Sequence, residues 1–149
     1  MARTAIAART LVAQGFISSA NIVGTAALQL GHAQGYVLVP AYGADQVTEF
    51  ISAILSMDFS VAAYTGGGNL AIKLGAGGAA LSGIATNAQF IQSAVDLVIQ
   101  FVPLAATYIS PVANKTINLV DSSAPTQPGT AAGVIRYRVV YRVFDAGLA

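Results

Sequence analysis

The most regular spacing of apolar and polar positions lies near the end of the chain, in Gly133 to Asp145, GVIRYRVVYRVFD. Ile135, Tyr137, Val139, Tyr141 and Val143 share one face of an extended segment, while Arg136, Arg138 and Arg142 share the other with Val134, Val140 and Phe144. Such alternation in β-branched and aromatic residues predicts a β-strand whose odd-numbered face is core. It also collects three of the chain's seven basic residues on one surface, which no packed core accepts without partners.

The rest of the chain reads as shorter pieces of the same kind. Asn69 to Leu74 alternates between the breaks TGGG and GAGG, so Ala79 to Ala85 is expected to return as its antiparallel partner across a glycine turn. Val47 to Tyr64 is largely apolar on both faces, as in a strand covered on two sides. Further strands are expected from Phe16 to a stop near Gly31, over Gly35 to Pro40, over Val95 to Leu104 with Pro103 at its end, and over Asn114 to Val120. Thr86 or Asn87 is a suitable N-cap for a short helix over 88–94. Asp121 to Gly133, rich in Ser, Pro, Thr and Gly, reads as a loop. Seven or eight short strands with one or two short helices argue for an all-β chain, an antiparallel β-sandwich or jelly roll.

Residues 1–16 fit this series less well. Ile6, Leu11, Val12 and Phe16 among alanines suit a short amphipathic helix or an extended arm, and the segment is basic through Arg3 and Arg9. The expected organisation is an arm over 1–16 and one sandwich domain over 17–149. An arm of this kind would dock on a neighbouring subunit.

Composition changes the picture in one respect. Of 149 residues, 55% are hydrophobic and only 9% are charged, against about 25% charged in an ordinary domain. A monomer so poor in charge has too little polar surface to cover itself, so much of its surface is expected to be covered by other subunits. With a net charge of +1, no broad basic field invites nucleic acid or a lipid surface. There is no cysteine, which removes disulfides, thiolate metal sites and cysteine nucleophiles together. The long uncharged windows 10–31, 74–95 and 97–114 are interrupted by polar residues, glycines or prolines and do not make spanning helices. Arg9 and Gln14 break any apolar signal-peptide core at the start of the chain.

Candidate chemistry is sparse. Gly75 to Ala80 fits G-x-G-x-x-A, with Asp96 about twenty residues on, but Gly83 interrupts the helix that would present a phosphate site, so a hairpin turn is the better reading. His32 is the only histidine and sits beside Gly31 near a turn, which offers neither a metal set nor a triad. The six acids, Asp45, Glu49, Asp58, Asp96, Asp121 and Asp145, are spread singly, without a spacing that suggests a catalytic pair. Asn114-Lys115-Thr116 is a glycosylation sequon that matters only in a secreted protein. No enzyme, cofactor or metal is expected. What remains is the arginine face, either a wet outer strand face with aliphatic stems over Val134 and Val140, or a subunit contact pairing with a partner's carboxylates.

The ordered series AAYTGGGNLAIKLGAGGAALSG, VDLVIQFVPL, NKTINLV and GVIRYRVVYRVF resembles small structural proteins of tailed-bacteriophage virions, over about residues 35–144. The resemblance implies a sandwich or jelly roll that decorates or cements a capsid, as a homo-oligomer with threefold symmetry. Its partners would be the major capsid protein and its own copies, and its location the virion surface after synthesis in the host cytoplasm. Arg3, Arg9, Phe16, Arg136, Arg138 and Arg142 are the expected contact residues. The alternatives are a tail or fibre component and a carbohydrate-binding jelly roll, which exposed aromatics beside polar loops would favour.

Overall fold

A computed structural model of the protein describes residues 9–104, 112–127 and 133–145. The chain is an antiparallel all-β protein. Its strands, in chain order, are β1 (Arg9–Ile17), β2 (Tyr36–Val39), β3 (Gln46–Asp58), β4 (Thr65–Gly66), β5 (Asn69–Leu74), β6 (Ala85–Thr86), β7 (Leu97–Phe101), β8 (Ile117–Asp121), β9 (Pro125–Thr126) and β10 (Val134–Asp145). A single α-helix, α1 (Ser19–Val23), and a 3-10 turn (Asn87–Gln89) are the helical elements among the described residues. One sheet runs in the order β1-β10-β3-β7 and a second in the order β2-β8-β5-β6, with β4 and β9 as a small separate pair. Apolar side chains of both large sheets meet in one buried cluster, the arrangement of a sandwich.

The closing strand lies at the centre of the first sheet, paired on one side with β1 and on the other with β3. Ile135, Val139 and Tyr141 are buried, and the arginines point the other way, as the alternation of β-branched and aromatic residues anticipates. Its partner β3 is irregular: Val140 pairs with Ser52 and Tyr141 with Phe50, which leaves Ile51 as an extra residue on β3. This bulge reverses the in-out phase of β3. Phe50 therefore faces the core together with Ala53, Leu55 and Met57, although a regular strand would set Phe50 opposite them. The double-sided apolar pattern of this stretch is thus a change of phase within one strand.

Three expectations are corrected. Residues 9–16 do not form an arm or helix, because they are strand β1, paired with β10 along its full length from Arg9↔Val143 to Ile17↔Ile135. Residues 1–8, with Arg3, lie outside the described residues. The strand expected from Phe16 to Gly31 is instead the end of β1, α1 and a series of turns. Side-chain bonds to backbone take the place of a ladder there: Gln29 Oε1 accepts from Ala26 N–H at 2.8 Å, and Gln29 Nε2 donates to the Ala20 carbonyl at 3.3 Å. Finally, the helix expected over 88–94 is only the 3-10 turn, held at its start by Thr86 N–H donating to Gln89 Oε1 at 3.2 Å.

The glycine turn after β5 returns the chain antiparallel as expected, with Leu81 N–H bonded to the Ile72 carbonyl and Leu70 paired with Ala85. Gly75 and Gly77 take φ of +68° and +64°, where a side chain is strained.

Two buried tyrosines make the fold sensitive to alkali. Tyr64 is 1% exposed and donates to the Gly133 carbonyl at 2.7 Å; burial pushes its pKa up to about 12. Tyr141 is raised to about 12 as well, by burial first and then by its hydrogen bond with Tyr42. An unfolded tyrosine titrates near pH 10, so these groups leave stability intact below pH 10 and withdraw it as pH rises toward 12, by about 2–3 kcal/mol for Tyr64. The urea midpoint is expected to hold steady up to pH 10 and then fall, with a shallower fall in Tyr64→Phe. An unchanged midpoint to pH 12 would contradict this burial.

Candidate interaction surface

The pairing registers place side chains from four strands on the outer face of the first sheet. One row runs Phe16, Arg136, Ser56, Val98; the next runs Gln14, Arg138, Ile54, Gln100. Val12, Val140 and Ser52 make a third, and Thr10, Arg142 and Glu49 a fourth. Directly paired residues in such rows lie about 4.5–5.5 Å apart at Cβ, so the surface is continuous across the sheet.

This face is mixed in a particular way. Phe16, Val12, Ile54 and Val98 are exposed, Phe16 by 60% and Val98 by 64%. Between these apolar groups stand the three arginines, also exposed. Arg136 Nε donates to Asp58 Oδ2 at 2.5 Å, and Arg142 Nη1 donates to Glu49 Oε2 at 3.4 Å. Both pairs are open to water, where such contacts contribute little to stability. Arg138 makes no ion pair among the described residues and lies between Gln14 and Ile54. The centre of the face therefore offers one uncompensated guanidinium ringed by apolar and amide groups. Arginine beside aromatic and aliphatic surface, with charge elsewhere sparse, is the composition of a protein interface.

Of the residues expected at a contact, Phe16 and Arg136 are direct cross-strand partners, and Arg138 and Arg142 continue the same face. Arg9 is not with them. It falls in the phase of Leu11 and Ala13 at the far end of β1, opposite Val143. Arg3 lies outside the described residues. Ile54, Gln14 and Val98 belong to the surface but were not anticipated, since their membership depends on which strands pair and in what register. The bulge at Ile51 hides Ile54 further, because it alters which residues of β3 face outward.

Other candidate chemistry stays dispersed. His32 Nδ1 accepts from Gln34 N–H at 3.1 Å and so closes a turn. Among the described residues no three His, Cys, Asp or Glu side chains gather as a metal set, and no helix is long and apolar enough to cross a membrane. The glycines of the G-x-G-x-x-A match belong to the turn after β5. Compared with protein-family models, with curated proteins and with solved structures, the chain matches none.

Proposed function

We propose that the protein is a non-enzymatic structural component of a virion, which docks on the capsid surface as a decoration or cement protein and associates with copies of itself. The observation that carries this reading is the outer face of the first sheet, where Phe16, Ile54 and Val98 are exposed around Arg138. Exposed apolar groups on a chain with only 9% charged residues favour burial against protein. The arginines favour a partner surface that carries carboxylates, because guanidinium and carboxylate pair bidentately once water is excluded. The major capsid protein is the proposed shell partner, on the strength of the resemblance of the sequence layout to small virion proteins of tailed bacteriophages. Nucleic acid and membrane are not proposed as partners, since the net charge is +1 and phosphate binding draws on concentrated basic charge.

The test is co-sedimentation of the full chain with capsids assembled from the major capsid protein of the same particle. Arg138→Glu reverses the one guanidinium of this face without a carboxylate partner among the described residues and is expected to weaken self-association, and with it capsid occupancy, at least tenfold, a loss of about 1.4 kcal/mol or more. Occupancy equal to wild type would remove the arginine face from the contact.

A further inference from the structure

At the edge of the first sheet, β1 is notched. Gly15 has no side chain, and the Tyr137 ring of the neighbouring strand lies over it, so close that a Cβ on Gly15 would come within 2.7 Å of the Tyr137 hydroxyl. The notch opens a cleft of about 490 Å³ lined by Gly15, Phe16, Ser18, Asn21, Tyr36 and Tyr137. A second hollow, about 410 Å³, continues past Phe16 to Gln14 and Arg136. Both volumes fall toward the lower end of the range for small-molecule sites, about 300–1,000 Å³.

The chemistry of this cleft is specific. Tyr36 and Tyr137 meet edge to face with ring centres 6.3 Å apart, and the exposed Phe16 ring stands at the mouth. Around these aromatics are polar groups with spare capacity. The side chains of Ser18, Asn21 and Gln14 make no hydrogen bond among the described residues. Tyr36 donates to the Phe16 carbonyl at 3.3 Å, which leaves its oxygen lone pairs available. Among the described lining residues the one cation, Arg136 in the second hollow, is bonded to Asp58, so this lining is close to neutral.

We propose that this cleft binds a neutral saccharide. A sugar ring carries an apolar C–H face of positive partial charge, which suits the negative face of an aromatic ring. Its hydroxyl groups both donate and accept, which suits an amide, a serine and a tyrosine oxygen placed around those rings. A wholly apolar ligand would leave these polar groups dehydrated and unpaired, and an anion would find its guanidinium already held by Asp58. An added peptide strand is disfavoured too, because the Phe16 carbonyl is occupied by the Tyr36 hydroxyl and the edge is closed to backbone pairing at that point. Ser18, Asn21 and Tyr36 lie off the outer face, whereas Phe16 belongs both to the cleft and to that face.

The test applies the labelled full-length chain to a glycan array, followed by saturation-transfer NMR with methyl glycosides of glucose, galactose, mannose and N-acetylglucosamine at millimolar concentration. At least one saccharide is expected to bind, with signal transferred to its ring C–H protons. Phe16→Ala and Asn21→Ala are each expected to weaken that binding about tenfold, while Asn21→Ala leaves the urea midpoint and capsid occupancy unchanged. Should Phe16→Ala disturb assembly, Asn21→Ala alone reads the cleft. No bound saccharide, binding equal to wild type in Asn21→Ala, or capture of an extended peptide at the cleft in place of a glycan would overturn the proposal.

Discussion

Replacing Asp121 by alanine is expected to cost the fold about 3–5 kcal/mol. Asp121 ends β8, is 2% exposed, and accepts three hydrogen bonds from separate parts of the chain. Oδ1 accepts from Gly68 N–H at 3.0 Å and from Ser123 N–H at 3.2 Å, and Oδ2 accepts from Asn87 Nδ2 at 2.6 Å. The triple-glycine segment is shaped to let this happen. Gly67 has a φ of +82°, and a Cβ there would sit 1.7 Å from Asn87 Nδ2, so no other residue admits the amide to the carboxylate. Asn87 N–H in turn bonds the Gly68 carbonyl, and Ser122 Oγ accepts from Asn69 N–H. Alanine at 121 would leave Gly68 N–H, Ser123 N–H and the buried Asn87 amide without acceptors, each such orphan costing about 1–3 kcal/mol. A loss of that size is a large part of a domain's total, about 5–15 kcal/mol. In urea the midpoint should fall by about 2 M, at a slope near 2 kcal/mol per molar. Asp121→Asn should be intermediate, because it keeps an acceptor for the backbone but turns an amide N–H₂ toward that of Asn87. A cost for Asp121→Ala below about 1 kcal/mol would mean that the segment is held by its apolar neighbours and not by this carboxylate.

The second large effect concerns assembly. Ile54→Glu is expected to leave the monomer folded while weakening self-association at least a hundredfold, about 2.7 kcal/mol. Ile54 is 40% exposed on the outer face, directly opposite Arg138 on β10 and Gln100 on β7. In the free subunit a glutamate there would face Arg138, a favourable cross-strand pair in water. In an assembled state the glutamate would hold Arg138 away from a carboxylate of the neighbouring copy and would put a charge where Ile54 makes an apolar contact. The substitution therefore separates folding from association. Sedimentation velocity across a dilution series reads the second, and the urea midpoint reads the first. Equal association in wild type and Ile54→Glu would place the self-contact elsewhere on the molecule.

The legibility of the sequence follows these same residues. The closing strand was readable because Ile135, Val139 and Tyr141 alternate with Arg136, Arg138 and Arg142, and a period of two has one physical meaning when one set is apolar and the other charged. The hairpin after Asn69 was readable from its glycines, whose positive φ no other residue adopts without strain. Strand β1 was not, because Arg9, Gln14 and Gly15 interrupt its apolar run, and its place is decided by pairing with β10, 118 to 134 residues away. Ser18 to Gly31 was misread because Ala26, Leu28 and Leu30 happen to alternate, whereas Gln29 fastens the local backbone in turns. The arginines and Phe16 could be nominated one at a time, but the rows that join them to Ile54 and Val98 are a matter of register. A bulge such as that at Ile51 leaves no mark on composition or period that would reveal it beforehand.

The central claim is that this outer face is buried against other copies of the chain. Light scattering of the purified full-length protein at micromolar concentration tests it most directly: a stable oligomer, of several times the monomer mass, is the expected result, and a clean monomer would contradict the account.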